Sequence, residues 1–281
     1  MYEYFKDERK DNLSQKVFMQ FIVIFFVVYC VLISFLFLFH VNYSYTTISG
    51  RSMQSTLNPN PVLVKTDDGQ EYQQDGVYLK HTKDIDYNDI IVVDTTPPGQ
   101  KQRKTIIKRV IGLEGDYVTI AKVEGKSGQR EYHVMRVKEN TNIVEVMEEE
   151  YVYSYELWTD EDGSQWEITV DGITYEASIY KNFTEKNYET KKFKVEELGG
   201  AEVVFFKVSE DSVFFLGDNR ANSNDSRALG FLNLSKVEGK VVYIVRDGTE
   251  YKGNNTWWIN RLKGFFIVIW QEILSFFGGN A

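Results

Sequence analysis

The chain has 281 residues, 43% of them apolar and 15% aromatic, with a formal net charge of -9. That composition excludes a disordered chain, and the acidic balance argues against nucleic acid as a partner, because phosphate binding needs a basic face. One cysteine, Cys30, excludes an intramolecular disulfide and a cysteine-based metal site; the three histidines, His40, His81 and His133, sit in no motif with an acid, which counts against a Ser-His-Asp triad or a histidine-rich zinc site.

Residues 1–16 are a polar tail of mixed charge carrying Lys6, Arg9, Lys10 and Lys16. Residues 17–41 are apolar apart from Gln20, Ser34 and His40, and about 25 residues suffice to cross ~30 Å of hydrocarbon with some tilt. The basic flank on the N-terminal side predicts a cytosolic N-terminus, with everything after residue 41 on the other side of the membrane. The apolar core is too long for a cleaved leader, and His40-Val41-Asn42-Tyr43 is no small-x-small site, so the segment reads as a permanent anchor.

β-Branched and aromatic runs bounded by Asp, Gly and Pro follow, at residues 43–48, 62–64, 76–79, 89–94 and 105–111, and read as buried strands. Residues 42–116 and 207–250 are assigned to one β core, with strands at 213–216 and 240–245. Residues 117–206 read as an inserted β subdomain, with strands expected at 117–120, 132–137, 143–147, 151–158, 166–170, 173–180 and 203–206. Asp171-Gly172 predicts a hairpin turn. Between Glu139 and Asp162 there is no Lys or Arg, but Glu145, Glu148, Glu149, Glu150, Glu156, Asp160, Glu161 and Asp162 are present. That run reads as a solvated face, with a docking surface for a basic partner as the alternative. Residues 256–277 predict an amphipathic helix. Its apolar side includes Phe266, Trp270 and Ile273, and Arg261, Gly264, Gln271, Glu272 and Ser275 gather on the other. A helix lying in the membrane interface fits this pattern; packing on the β core and a second span are the alternatives.

The chemistry centres on three stretches. A serine hydroxyl, such as Ser52 in Ser49-Gly50-Arg51-Ser52-Met53-Gln54-Ser55-Thr56-Leu57, needs a base. No histidine is placed for that, but a neutral lysine can serve. An ordinary lysine, with a pKa of ~10.4, is neutral less than about one time in a thousand at pH 7, and burial can lower the value by up to ~3–5. Lys108 sits among Ile106, Ile107, Val110 and Ile111, on the strand face opposite Ile107 and Arg109. Alone it reads more simply as a strand lysine whose head reaches water. The third stretch runs from Gly217 to Gly230, dense in Gly, Asp, Asn, Ser and Arg after an apolar strand. It can be a structural turn, or a polar network that orients a base: Ser223 to hydrogen-bond the Lys108 amine, Asp225 and Arg227 to pair and hold the loop.

Together these stretches resemble the type I signal peptidases, membrane-anchored serine proteases that use lysine as the base. Residues 49–57 are similar to the family's Ser-Gly-x-Ser-Met-x-Pro-Thr-Leu box, residues 108–116 to Lys-Arg-Val-x-Gly-x-Pro-Gly-Asp, and residues 89–93 to the end of Gly-Asp-Ile-Val-Val. Residues 217–230 fit Gly-Asp-Asn-Arg-x-x-Ser-x-Asp-Ser-Arg-x-x-Gly at every fixed position. Three departures fall in turns: Ser55 and Glu114 stand where prolines are expected, and Asn88 where a glycine is.

The resemblance implies a mainly β catalytic fold with a β insertion, one N-terminal membrane helix and no metal or organic cofactor. It implies Ser52 as nucleophile and Lys108 as general base, with Ser223, Asp225 and Arg227 in support. Met53 would wall the site, and the Ser52 amide would form the oxyanion hole, with Gly50 where some members carry a hydroxyl. It implies a plasma-membrane enzyme facing outward that cuts secretory preproteins after small-x-small sequences, with lipid and the secretion translocon as neighbours. The alternatives are a processor dedicated to one surface or pilin-type protein, and an inactive membrane-tethered assembly factor.

Overall fold

Alternating and fully apolar runs fold here into antiparallel strands, and their register gathers three distant stretches of sequence. The computed structural model describes residues 4–59, 63–66, 69–72, 74–124, 130–152, 167–248 and 255–277. The chain divides into two units, Met1–Ser44 and Tyr45–Ala281.

The first unit is the helix α1 (Tyr4–Asn42). Its stretch Gln15–Asn42 is long and apolar enough to cross a membrane, and none of it is buried in protein. The helix also runs through most of the segment read as a polar tail, since Lys, Arg and Glu are good helix formers and no Gly or Pro interrupts them.

The strands are β1 (Tyr43–Thr47), β2 (Leu63–Thr66), β3 (Gly69–Tyr72), β4 (Gly76–Lys80), β5 (Ile90–Asp94), β6 (Thr105–Gly112), β7 (Tyr117–Glu124) and β8 (Arg130–Val137). There follow β9 (Val144–Val146), β10 (Glu167–Val170), β11 (Ile173–Glu176), β12 (Thr190–Val195), β13 (Ala201–Lys207), β14 (Ser212–Leu216), β15 (Leu232–Asn233) and β16 (Val237–Val245). Helices α2 (Ala177–Glu185), α3 (Ser226–Leu229) and α4 (Trp257–Phe277) complete the described elements.

One sheet has the order β1-β4-β16-β5-β6-β14-β15. β6 lies inside it, pairing Lys108 with Ile91 of β5 and Arg109 with Leu216 of β14, so residues 107–112 are cut off from water. The second sheet, β10-β11-β7-β13-β12 with β8 and β9 added beside β7, is built within residues 117–207. The Asp171-Gly172 turn forms as expected, with φ of 51° and 81°, the left-handed pair that suits a two-residue hairpin. The two sheets share a core. Ile111, Phe214 and Leu216 of the first pack with Val118, Ile120, Val134 and Phe206 of the second.

Phe183 of α2 plugs this core, with edge-to-face partners Phe206 at 5.3 Å, Phe231 at 4.8 Å and Phe214 at 6.1 Å. Here the structure corrects the expectation of a strand over residues 173–180. β11 ends at Glu176, whose carboxylate accepts from Ile179 N at 2.8 Å and caps α2. Ile179 and Phe183, four residues apart, then bury one helical face. The packed pocket outweighs the β preference of Ile and Tyr. Of the strand expected at residues 151–158, Tyr151 and Val152 lie in a turn and the rest falls outside the described residues.

Candidate active site

Ser52 stands half-exposed on a tight loop after β1. Gly50 precedes it with φ of 104°, a conformation open to glycine and to few other residues. Backbone bonds from Gln54 N to Arg51 O (3.0 Å) and from Leu57 N to Met53 O (2.7 Å) close the turn. Asn58 sews the loop down: its amide donates to Ile48 O at 3.0 Å, and its side chain and backbone bond Asp75 in both directions at 2.6 and 2.9 Å. Met53 and Leu57 drop into a core with Ile48, Val77, Leu79, Val92 and Ile107. Met53, expected to wall the site, therefore supports the loop from beneath and is not among the residues lining the cleft.

Lys108 is 2% exposed. Its Nζ lies 2.7 Å from Ser52 Oγ and donates to Ile107 O at 2.8 Å. Burial pushes its pKa down to about 8; Asp225 and Asp218 resist the fall and Arg227 adds to it. Such an amine, neutral in an appreciable fraction near pH 7, can take the proton of an adjacent hydroxyl.

The buried strand β14 runs straight into Gly217. A side chain there has no room, since a Cβ would stand 2.2 Å from Ser223 Oγ and 2.5 Å from the Ser52 carbonyl oxygen. Two residues on, Asn219 N donates to that same carbonyl at 3.0 Å. Asp225 is fully buried and accepts from Arg227 Nε (2.9 Å), Arg227 Nη2 (3.0 Å) and Gly217 N (3.1 Å). Burial works to raise its carboxyl, but Arg227 and these bonds outweigh it and hold the pKa below the usual range, while Arg227 is held above its own. The pairing expected from the sequence is thus made. The expected bond from Ser223 to Lys108 is not: Ser223 Oγ is buried against Gly217 and forms no hydrogen bond of ordinary geometry, though its nearness to Asp225 helps keep that carboxylate ionised.

Other residues that tie the site together were not singled out from the sequence. Arg109, next to Lys108, grips Asp218 with Nε–Oδ1 at 2.9 Å and Nη2–Oδ2 at 2.7 Å, and Thr56 Oγ1 donates to the same Oδ2 at 2.5 Å. One carboxylate thereby joins β6, the Gly217 loop and the Ser52 loop. Arg220 is held by Glu149, and the Tyr151 ring lies under the Arg109 guanidinium at 4.0 Å while its carbonyl accepts from Ser55 Oγ at 2.6 Å. The acidic run is therefore not simply a solvated face. Glu149 is sealed in the site, and Glu145 pairs with Arg136 at 2.7 Å. Glu156 and residues 160–162 fall outside the described residues. Buried arginines demand acids, so Arg109 and Arg220 carried a signal, but nothing in the spacing pointed to their partners.

Each departure from the family boxes has a local account. Asn88 takes φ of 66°, which asparagine tolerates best after glycine. Glu114 accepts from Asp211 N at 2.8 Å. Ser55 takes φ of 79°, which proline cannot adopt. A cleft of about 150 Å³ runs past Ser52 and Lys108, lined by residues 46–49 and 105–107 together with Val92. Two extended segments beside Ser52 and Lys108 suit an extended peptide. Among the described residues, no cluster of His, Cys, Asp and Glu is placed to hold a metal ion.

The family model described as signal peptidase, peptidase S26, matches residues 17–246. No curated protein matches the chain. Among solved structures, the crystal structure of a signal peptidase I from Enterococcus faecalis V583 is similar over 56% of this chain and 95% of that one, at 19% identity and a TM-score of 0.25. The family match spans the helix α1, the Ser52 loop, the Lys108 strand and the Gly217 loop alike, and this chain belongs to the signal peptidase family, the S26 serine peptidases.

Proposed function

We propose that the chain removes N-terminal signal peptides from exported preproteins with Ser52 as nucleophile and Lys108 as general base. The observation that carries this reading is the 2.7 Å approach of Lys108 Nζ to Ser52 Oγ, on a lysine whose pKa burial brings down to about 8. Lys108 takes the hydroxyl proton as Ser52 Oγ attacks the scissile carbonyl carbon. The Ser52 amide faces the oxyanion, where one fixed donor is worth about 2.7–4 kcal/mol. Lys108 then protonates the departing amine and leaves an acyl-enzyme. A water gives a proton to Lys108 as its oxygen attacks the acyl carbon; the bond from that carbon to Ser52 Oγ breaks, Lys108 returns the proton to Oγ, and the signal peptide leaves with a new carboxylate. Asp225 and Arg227 hold the Gly217 loop against the nucleophile's backbone, and Ser223 fills the space beside Gly217. The cleft of residues 46–49 and 105–107 takes the substrate as an extended strand, and shallow pockets beside Ser52 favour alanine one and three residues before the cut.

In this reading residues 17–41 anchor the enzyme in the plasma membrane with the N-terminus in the cytosol. Residues 42–116 and 207–250 then work outside, near the secretion translocon, with the 117–206 insertion bracing the site. The test is cleavage of a preprotein with an Ala-x-Ala site in detergent by the wild type, Ser52→Ala and Lys108→Ala. A single cut by the wild type and none by either folded variant supports the proposal. Cutting by Lys108→Ala removes lysine as the base, and a folded wild type that cuts no preprotein removes the substrate assignment.

A further inference from the structure

Helix α4 is apolar on the side it turns away from the protein. Arg261, Gly264 and Glu272 face the β core beside the apolar Val268, and Gln271 and Ser275 are exposed. Gly264 and Val268 are buried, and a Cβ on Gly264 would stand 2.9 Å from both the Tyr78 ring and Val245 Cγ2. Arg261 lies over the Tyr45 ring at 4.4 Å, donates from Nε to Gly248 O at 2.7 Å, and accepts at its own carbonyl from Tyr78 Oη at 3.0 Å. Glu272 pairs with Lys80 at 2.5 Å. Positions 261, 264, 268 and 272 form one stripe along the helix. The opposite arc carries Trp258, Leu262, Phe266, Trp270, Ile273 and Leu274, all exposed, with Phe266 at 59% and Trp270 at 60%. Lys263 shares that arc, with a stem long enough to lift its ammonium out of an apolar layer. Soluble surfaces rarely leave so continuous an apolar strip bare.

Chain connectivity says what covers it. The apolar stretch of α1 ends at Asn42, and Tyr45 follows three residues later. Three residues of extended chain reach at most ~11 Å, whatever direction the span takes. Tyr45 is the residue that Arg261 of α4 rests on, and its hydroxyl donates to Gly248 O at 2.8 Å. The N-terminal part of α4 is thus tied to the point where the chain leaves its membrane-length helix.

We infer that α4 is an interfacial helix whose exposed aromatic and aliphatic arc is buried at the headgroup–acyl boundary of a lipid bilayer, roughly 5–10 Å deep, while Arg261, Gly264, Val268 and Glu272 carry the β core on its other side. The inference rests on the reading of α1 as a membrane anchor. It adds a second attachment that helps set the height and tilt of the Ser52 cleft above the bilayer.

The test uses the full chain in vesicles of phosphatidylcholine and phosphatidylglycerol, with nitroxide labels read by collision with oxygen and with a water-soluble nickel chelate. Wild-type chain is labelled at Cys30 within α1. In a Cys30→Ser background, labels go at Phe266→Cys, Trp270→Cys and, as a water-exposed comparison on α2, Glu185→Cys; cooperative thermal unfolding verifies that each is folded. The expected result is that labels at 266 and 270 favour oxygen over nickel several-fold at a shallow depth, as the Cys30 label does at a greater depth, and the label at 185 shows the reverse. Labels at 266 and 270 that behave like the one at 185 overturn the inference. So does spectral broadening by label–label contact, which means a second copy covers the face, and so does a depth at the bilayer centre, which means a span. A Cys30 label that behaves like the one at 185 removes the anchor reading instead, and is told apart from the failure of α4 by the labels at 266 and 270.

Discussion

Glu149 closes a bidentate ion pair on Arg220, with Oε2 2.8 Å from Nη1 and Oε1 2.6 Å from Nη2, and the two side chains are 0% and 3% exposed. Arg220 Nε in turn donates to Gly217 O at 3.1 Å, and Asn219 N to Ser52 O at 3.0 Å. A short relay therefore runs from the acidic segment to the backbone of the serine. Taking the carboxylate away from a buried guanidinium costs about 3–5 kcal/mol. Glu149→Ala should lower the melting temperature and cut kcat well beyond any change in KM, since Glu149 positions the loop without touching substrate. Glu149→Gln, which keeps an acceptor, should recover part of both. Wild-type kcat and melting temperature in Glu149→Ala would show that the relay does not reach Ser52.

With Lys108 as the proposed base, its titration sets the expected pH dependence. Its pKa is brought down to about 8, and only the neutral amine accepts the serine proton. Below that value kcat/KM should fall about tenfold per pH unit, and above it the rate should level off until other groups titrate. Measuring kcat/KM on a peptide spanning an Ala-x-Ala site between pH 5 and 10 checks this. A midpoint at the histidine value of ~6.5 would point to a different base.

The same burial makes Lys108 a burden on the fold. A lysine whose folded pKa lies below its unfolded one binds its proton more weakly when folded. The penalty is complete below the folded value of about 8 and disappears as pH rises to the ordinary 10.5. The difference corresponds to about 3 kcal/mol, from which ~1 kcal/mol is deducted for the lost bonds to Ser52 and Ile107. Lys108→Met should therefore be inactive yet more stable than the wild type at pH 7, by roughly 1–2 kcal/mol, with the advantage gone above pH 10.5. Chemical unfolding at both pH values measures it, and a less stable variant at pH 7 would refute the desolvation account.

What was legible in the sequence was local. The run of α1, the Asp171-Gly172 turn and the apolar setting of Lys108 all declare themselves within a few residues. The pairing of Lys108 with Ser52 came from the family resemblance of the three stretches, because Lys108 taken alone reads as an ordinary strand lysine. The Arg109–Asp218 and Arg220–Glu149 pairs join residues 109 and 71 positions apart, and no periodicity reports on such distances. Helix α2 was hidden for a different reason. It starts at a glutamate cap rather than Ser, Thr, Asp or Asn, and follows Ile173 and Tyr175, which favour strands.

Gly217 should tolerate no substitution. In Gly217→Ala the new methyl meets Ser223 Oγ at 2.2 Å and the Ser52 carbonyl oxygen at 2.5 Å. Ser223 can turn aside, but the second obstacle is the backbone of Ser52 itself. A displacement of ~1 Å at the attacking group can cost about a hundredfold in rate. Gly217→Ala should lose activity on that scale, and combining it with Ser223→Ala should restore little. Full rescue by Ser223→Ala would mean that the Ser52 backbone is free to move.

Ser55 reverses the usual logic of restoring a family residue. Proline is expected at this position of the first box, yet Ser55 holds φ at 79° and its hydroxyl donates to Tyr151 O at 2.6 Å. Proline fixes φ near −65°, so it cannot follow the present path between the Ser52 loop and the Glu149–Tyr151 segment. Where the native conformation is incompatible, a proline costs more than the ~1 kcal/mol it can otherwise contribute. Ser55→Pro should lower the melting temperature and reduce cleavage. Ser55→Gly should stay near the wild type, because easier access to positive φ offsets the lost hydroxyl bond of about 1 kcal/mol. Thermal unfolding of both variants in detergent decides the matter: if Ser55→Pro melts at or above the wild type, the loop takes the family's conformation in solution and its link to Tyr151 has no part in holding Ser52.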